Sequence, residues 1–124
     1  MGILERLQAD YARFPENQSY DLYAADVFFK DPMTKFSGIE QYQKMIGFIQ
    51  TYFLGVTMEL HDINQSNDMI YTRWTLKWTA PFPWKPKMAI SGRSELKLNP
   101  EGLVCSHVDY WDCSRWAVLK QVFA

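Results

Sequence analysis

The chain has 124 residues, 13 Lys+Arg against 14 Asp+Glu, and 16% aromatic residues, made up of 5 Trp, 7 Tyr and 8 Phe. That length points to one domain over 1–124, large enough to bury roughly two-thirds of its unfolded surface without a metal or disulfide staple. A net charge of −1 lacks the concentrated basic face that nucleic-acid binding requires, and no apolar run approaches the ~20 residues that span a bilayer, so neither nucleic acid nor membrane is expected as a partner.

The opening residues Met1 to Arg6 do not read as a signal peptide. Leu4, Leu7, Tyr11 and Phe14 recur at spacings of three and four, one face of a helix that Pro15 ends. Asn17-Gln18-Ser19 offers caps for a second short helix carrying Tyr20, Tyr23 and Ala24. Val27 to Asp31 then reads as a short strand stopped by Pro32. Ser37-Gly38-Ile39-Glu40 has the spacing of a capping box, and the helix it opens lines up Ile39, Tyr42, Met45, Ile46, Ile49 and Phe53, with Gly55 as its stop.

From Val56 the period falls to two. Val56, Met58 and Leu60 alternate with polar residues, as do Ile70, Thr72, Trp74, Leu76 and Trp78, and then Met88, Ile90, Leu96 and Leu98. Asn64 to Asp68 and Asn99-Pro100-Glu101-Gly102 mark turns. A last strand runs from Leu103 to Asp112, followed by a tail in which Trp116, Leu119 and Phe123 keep helical spacing. Segregated helices followed by a meander of strands predict an α+β fold, the helices lying on the apolar face of a mostly antiparallel sheet. Between the strands, Phe82 and Trp84 sit among three prolines and cannot pair in a sheet. They are expected to cover a pocket mouth or to reach a partner.

Cys105 and Cys113 would lie about 26 Å apart on one extended strand, beyond disulfide reach, which suits the cytoplasm or another reducing compartment. No His/Cys spacing suggests a metal site, and no cofactor is expected.

The element order is similar to that of the nuclear-transport-factor-2-like superfamily, in which helices fill the hollow of a strongly bent sheet and leave a conical pocket. Tyr23 to Pro32, ending in Asp31-Pro32, resembles the helix-to-strand segment of ketosteroid isomerases, where the matching aspartate is the general base. Leu98 through Asp112, with Gly102, His107 and Trp111-Asp112, resembles the closing hairpin of SnoaL-like polyketide cyclases, where the terminal aspartate is catalytic. Phe29-Lys30-Asp31-Pro32, Phe36-Ser37-Gly38 and His107 to Asp112 together look closest to an uncharacterised branch common in cyanobacteria and plants, for which the resemblance implies a fold and no assigned reaction. Two departures stand out. The Met88–Leu98 segment holds no aspartate to match the isomerases' neutral acid, and Leu98 stands where the cyclases place a second histidine.

Alternation assigns the pocket residues. Asp31 shares parity with Val27 and Phe29; Asp112 shares parity with Val104, Val108 and Tyr110; His107 and Asp109 fall on the outer face. Asp31 and Asp112 are therefore candidate catalytic residues as general bases, and the resemblance to ketosteroid isomerases, which pair their base with a tyrosine, implies Tyr11, on the inward stripe of the first helix, as a catalytic oxygen donor. Asp31 has a rival reading as an Asx turn, and Asp112 as a helix cap. Phe29, Trp74, Trp78 and Tyr110 are the expected ligand-contacting rings. The leading function is binding of a small apolar molecule, with an isomerase-, cyclase- or hydratase-type enzyme and a non-catalytic dimerisation or scaffold module as alternatives. Arg93, Glu95 and Lys77 are expected on the outer sheet face, as a solvated surface or a dimer interface, and a homodimer through that face is the expected assembly.

Overall fold

The computed structural model describes residues 2–124, so Met1 alone lies outside the described residues. Among the described residues, three helices and one mixed, curled six-stranded sheet form an α+β fold. Helix α1 (Ile3–Arg13) ends where Phe14 takes an extended conformation ahead of Pro15. A 3-10 turn over Tyr20–Leu22 leads into β1 (Tyr23–Lys30), and β2 (Lys35–Ser37) turns back beside it. Helix α2 (Ile39–Tyr52) follows, and then the long strands β3 (Leu54–Ser66), β4 (Met69–Thr79), β5 (Lys87–Leu98) and β6 (Val104–Trp111). Helix α3 (Arg115–Lys120) closes the chain, with Ser114 capping it through a hydrogen bond from the Ala117 N–H.

The strand order is β2-β1-β6-β5-β4-β3. Every pair is antiparallel except β1 with β6, which run parallel. That pairing explains one departure from the sequence reading. Tyr23 and Ala24 belong to β1 rather than to a second helix, because Tyr23 pairs with Val104 of β6 and tertiary pairing overrides the helix preference of the alanines. Nor does Ser37 cap α2. It pairs with Phe28 in β2, and Gly38, at φ 106°, makes the turn into the helix. Helix α2 ends at Tyr52, and Gly55, at φ 58°, lies inside β3 at a break in its pairing with β4.

The helices lie over one face of the sheet. Leu7 of α1 is buried with Val27, Ile70, Leu96 and Val104; Tyr42 and Ile46 of α2 with Phe29; Val118 of α3 with Trp74, Trp78, Met88 and Ile90. The alternation in β4 and β5 holds: Ile70, Thr72, Trp74 and Trp78, and Met88, Ile90, Ser94 and Leu96, all point inward. In β6 it inverts. Leu98 pairs with Val104 and Lys97 with Ser106, so Cys105 is an extra residue in the ladder, a β-bulge. From there on His107, Asp109 and Trp111 face inward, and the expectation that Tyr110 and Asp112 do so is overturned.

The proline-rich loop covers no pocket mouth. Phe82 and Trp84 stack on each other, and the Trp84 indole donates to the Val122 carbonyl (2.6 Å), so the loop is fastened to the C-terminal segment. Both cysteines are free thiols. Among the described residues no helix is long and apolar enough to cross a membrane.

Candidate functional site

Between helices and sheet lies a cavity of about 400 Å³, to which all three helices and strands β1, β3, β4, β5 and β6 contribute. Its two ends differ. Towards α3 the wall is apolar: Phe53 stacks on Trp78 (4.5 Å between centroids), and Met58, Leu76, Ile90 and Val118 complete it. Towards β1 and β6 the wall carries polar groups.

The polar end is organised by a hydrogen-bond ladder across three strands. The Trp74 indole N–H donates to Ser94 Oγ (2.9 Å), the Ser94 hydroxyl donates to Asp109 Oδ1 (2.5 Å), and His107 Nε2 meets the same oxygen at 2.7 Å. An indole nitrogen can only donate and a carboxylate can only accept, so both ends of the ladder have a fixed sense. Nε2 is accordingly the protonated nitrogen that faces Asp109. That leaves Nδ1 as the free acid–base position of the ring, and Nδ1 is buried with no hydrogen-bond partner. The rings of Phe29 and Tyr42 flank the imidazole at 5.0 and 5.9 Å.

Gly92 makes room for this ladder. It pairs with Trp74 on one side and Trp111 on the other, and a side chain there would strike the Tyr110 carbonyl and approach the Trp74 ring to 3.1 Å.

Asp31 joins the same end. Phe29 pairs with His107 and Lys30 with Val108 in the parallel ladder, which brings Asp31 alongside Asp109. Burial raises the Asp31 pKa above its ordinary 3.8, and the negative charge of Asp109 raises it further; the amides of Met33 and Thr34 and the His107 ring act in the opposite direction. Asp31 Oδ1 also accepts the Met33 N–H at 2.8 Å, so the Asx turn and the place in the cavity wall are both present.

Tyr11 reaches in from α1 and shares a 2.8 Å hydrogen bond with Thr72. Its pKa is pushed well above 10, mainly by burial, as is that of Tyr42; Tyr23 rises to about 12 for the same reason. All three phenols are therefore neutral hydrogen-bonding groups at any physiological pH. Asp10, also buried in the wall, is fully engaged by Arg13 and Ser19.

Of the residues singled out from sequence, Tyr11, Asp31, Phe29, Trp74 and Trp78 line the cavity. Tyr110 and Asp112 do not. Tyr110 lies under the Arg93 guanidinium on the outer face (4.3 Å), and Asp112 pairs with Arg73 there (3.2 Å). His107 and Asp109 are the polar residues that alternation sent to the outer face, and Ser94, whose parity with Met88, Ile90 and Leu96 points inward, joins them. Gly92, a lone glycine inside a strand, was the available signal for close packing at this point. Among the described residues no three His, Cys, Asp or Glu side chains converge to hold a metal ion.

Residues 1–107 match the family described as Uncharacterized conserved protein (DUF2358). The chain belongs to that family. No curated protein matches this DUF2358 chain. Its fold is shared with solved structures. A hypothetical protein with a ketosteroid-isomerase-like fold from Catenulispora acidiphila, solved with trimethylamine, is 20% identical with a TM-score of 0.76 over 96% of this chain and 90% of its own. A candidate SnoaL-like polyketide cyclase from Jannaschia sp. CCS1 is 15% identical with a TM-score of 0.78, covering 98% and 91%. An LEH-like epoxide hydrolase of M. tuberculosis is 12% identical with a TM-score of 0.72, covering 97% and 86%. At such identities the likeness is one of fold, and the DUF2358 chain has the nuclear-transport-factor-2-like fold that its sequence motifs imply.

Proposed function

We propose that this chain binds a small, largely apolar molecule in the cone and holds one polar group of it at His107. The observation that carries this reading is the unpartnered Nδ1. Among the described residues it is the one buried side-chain polar atom without a hydrogen bond, and leaving such a group unpaired costs on the order of 1–3 kcal/mol, which a ligand hydroxyl would recover. The apolar end supplies contact area, while the polar end orients the molecule.

A matched pair of probes tests it: 2-naphthol, with one hydroxyl on an apolar body, against naphthalene. Calorimetry should find 2-naphthol bound roughly 2- to 10-fold more tightly, the worth of one hydrogen bond, and His107→Leu should abolish that preference while keeping affinity for naphthalene. Equal binding of the two by the wild type, or binding of neither, refutes the reading.

The fixed sense of the ladder favours a second reading, an acid–base enzyme. With Nε2–H held on Asp109, Nδ1 can take a proton from a bound molecule or return one, and Asp31 lies at the same end of the cavity. Nitrogen-15 spectra of the histidine ring should then show Nε2 protonated and Nδ1 bare at neutral pH. A ring protonated at Nδ1 alone would remove His107 from the role of base.

A further inference from the structure

Opposite the polar end of the cone, two segments far apart in the chain build an aromatic patch that the pocket does not use. Trp84 stacks on Phe82 (5.1 Å, 11°) and on Phe123 (6.4 Å, 22°). The Gln121 side chain bonds both backbone groups of Ala89, at 2.7 and 2.8 Å, so the loop and the C-terminal segment are fixed to one another. Yet the rings lie in water: Trp84 is 55% exposed, Trp116 69% and Phe123 83%. Trp116 and Leu119 are exposed on α3 and Phe123 in the 3-10 turn that follows it (Gln121–Phe123), whereas Val118 of α3 is buried in the cavity wall.

Charge singles out the same surface. Lys85 and Lys87 flank the loop rings, Arg115 and Lys120 flank those of the tail, and all four are exposed. None forms a salt bridge among the described residues. Neither 80–92 nor 113–124 contains an acidic residue. With four of the 13 basic residues and none of the 14 acidic ones here, the rest of the chain carries nine against 14. The molecule is therefore polarised, with a basic, aromatic end and an acidic remainder.

We propose that this patch docks the protein on an anionic lipid surface. Indoles settle at the boundary between headgroups and acyl chains, where an apolar ring and a polar edge are both accommodated, and lysine and arginine reach to the headgroup phosphates. The acidic remainder is repelled by the same surface, so the long-range field turns the patch towards it. A second copy is a poor occupant, because a twofold contact through this patch sets four cations against four. A patch assembled from two distant segments leaves no long apolar run in the sequence.

The test is sedimentation of the full chain with vesicles of phosphatidylcholine alone or containing one-third phosphatidylglycerol. The anionic vesicles should carry the protein down, the neutral ones should not, and added salt should release it. Lys85→Glu with Lys120→Glu should weaken binding at least roughly tenfold, given the worth of each basic residue near such a surface. Trp116→Ser with Phe123→Ser changes only exposed rings and should abolish it, with the circular dichroism spectrum of the protein unchanged. Failure to sediment with anionic vesicles, equal binding to neutral ones, or insensitivity to both double variants overturns the proposal. So does tighter binding to an oligo-dT strand, or a dimer that Trp116→Ser with Phe123→Ser splits into monomers.

Discussion

Each face of the sheet carries a hydrogen-bonded ladder that ends on a histidine. On the outer face His61 Nε2 meets Thr75 Oγ1 at 2.7 Å and Thr75 meets Ser91 at 2.8 Å, across β3, β4 and β5. On the inner face Trp74, Ser94, Asp109 and His107 make the corresponding run across β4, β5 and β6. The cross-strand geometry is alike; the chemistry is not. Hydroxyls and an exposed imidazole can exchange donor and acceptor roles, and water replaces any partner that is lost. The inner ladder starts on an indole that only donates, turns on a carboxylate that only accepts, and is largely buried, the His107 and Asp109 side chains being 11% and 17% exposed. Burial and two fixed ends make it directional, and the direction leaves one nitrogen of His107 free.

Removing the pivot should break that contrast most severely. Asp109→Ala leaves the Ser94 hydroxyl and the His107 Nε2–H unpaired in the interior, and should cost roughly 3 kcal/mol in a denaturant titration. Gly92→Ala should come next, at about 1–3 kcal/mol, because the added methyl forces Trp74 off Ser94 or β5 off β6. A loss of tryptophan fluorescence change on ligand addition would accompany it.

Asp31→Asn should act in the opposite sense. The folded state raises the pKa of this acid, so between its ordinary 3.8 and the raised value the folded protein binds more protons than the unfolded chain, and stability falls as pH rises through that window. The asparagine variant should therefore melt higher than wild type near neutral pH and match it below 3.8. An equal difference at both ends of the pH range would refute the burial argument. The outer ladder provides the smallest effect: Thr75→Val should shift stability by no more than about 0.5 kcal/mol, since its partners are solvated.

How much of this was legible in the sequence varied from strand to strand. In β4 and β5 the buried residues keep one parity throughout, so Trp74 and Trp78 could be placed from spacing alone. In β6 one bulged residue reversed every assignment after it, and with them the choice between Asp109 and Asp112. Polarity gave no warning, because both settings of the strand bring one aspartate inward. Strand β2 is three residues long, too short for any period to show, and β1 begins in an alanine-rich stretch whose local preference is helical. Tyr11 and Asp31 were found because a helical stripe and a strand parity, neither interrupted, pointed to them.

The bulge at Cys105 has a further consequence. A strand has a frame, much as a coding sequence does, and Cys105 is the residue of β6 that belongs to neither setting of it. Deleting Cys105 would join Val104 to Ser106 in an unbroken alternation and keep His107, Asp109 and Trp111 in the cone. Inserting one residue between Ser106 and His107 would turn the imidazole and its carboxylate out to water and bring Val108 and Tyr110 in. A single step of register thus decides whether the cavity presents His107 and Asp109 or Tyr110 and Asp112, with the composition of the strand almost unchanged.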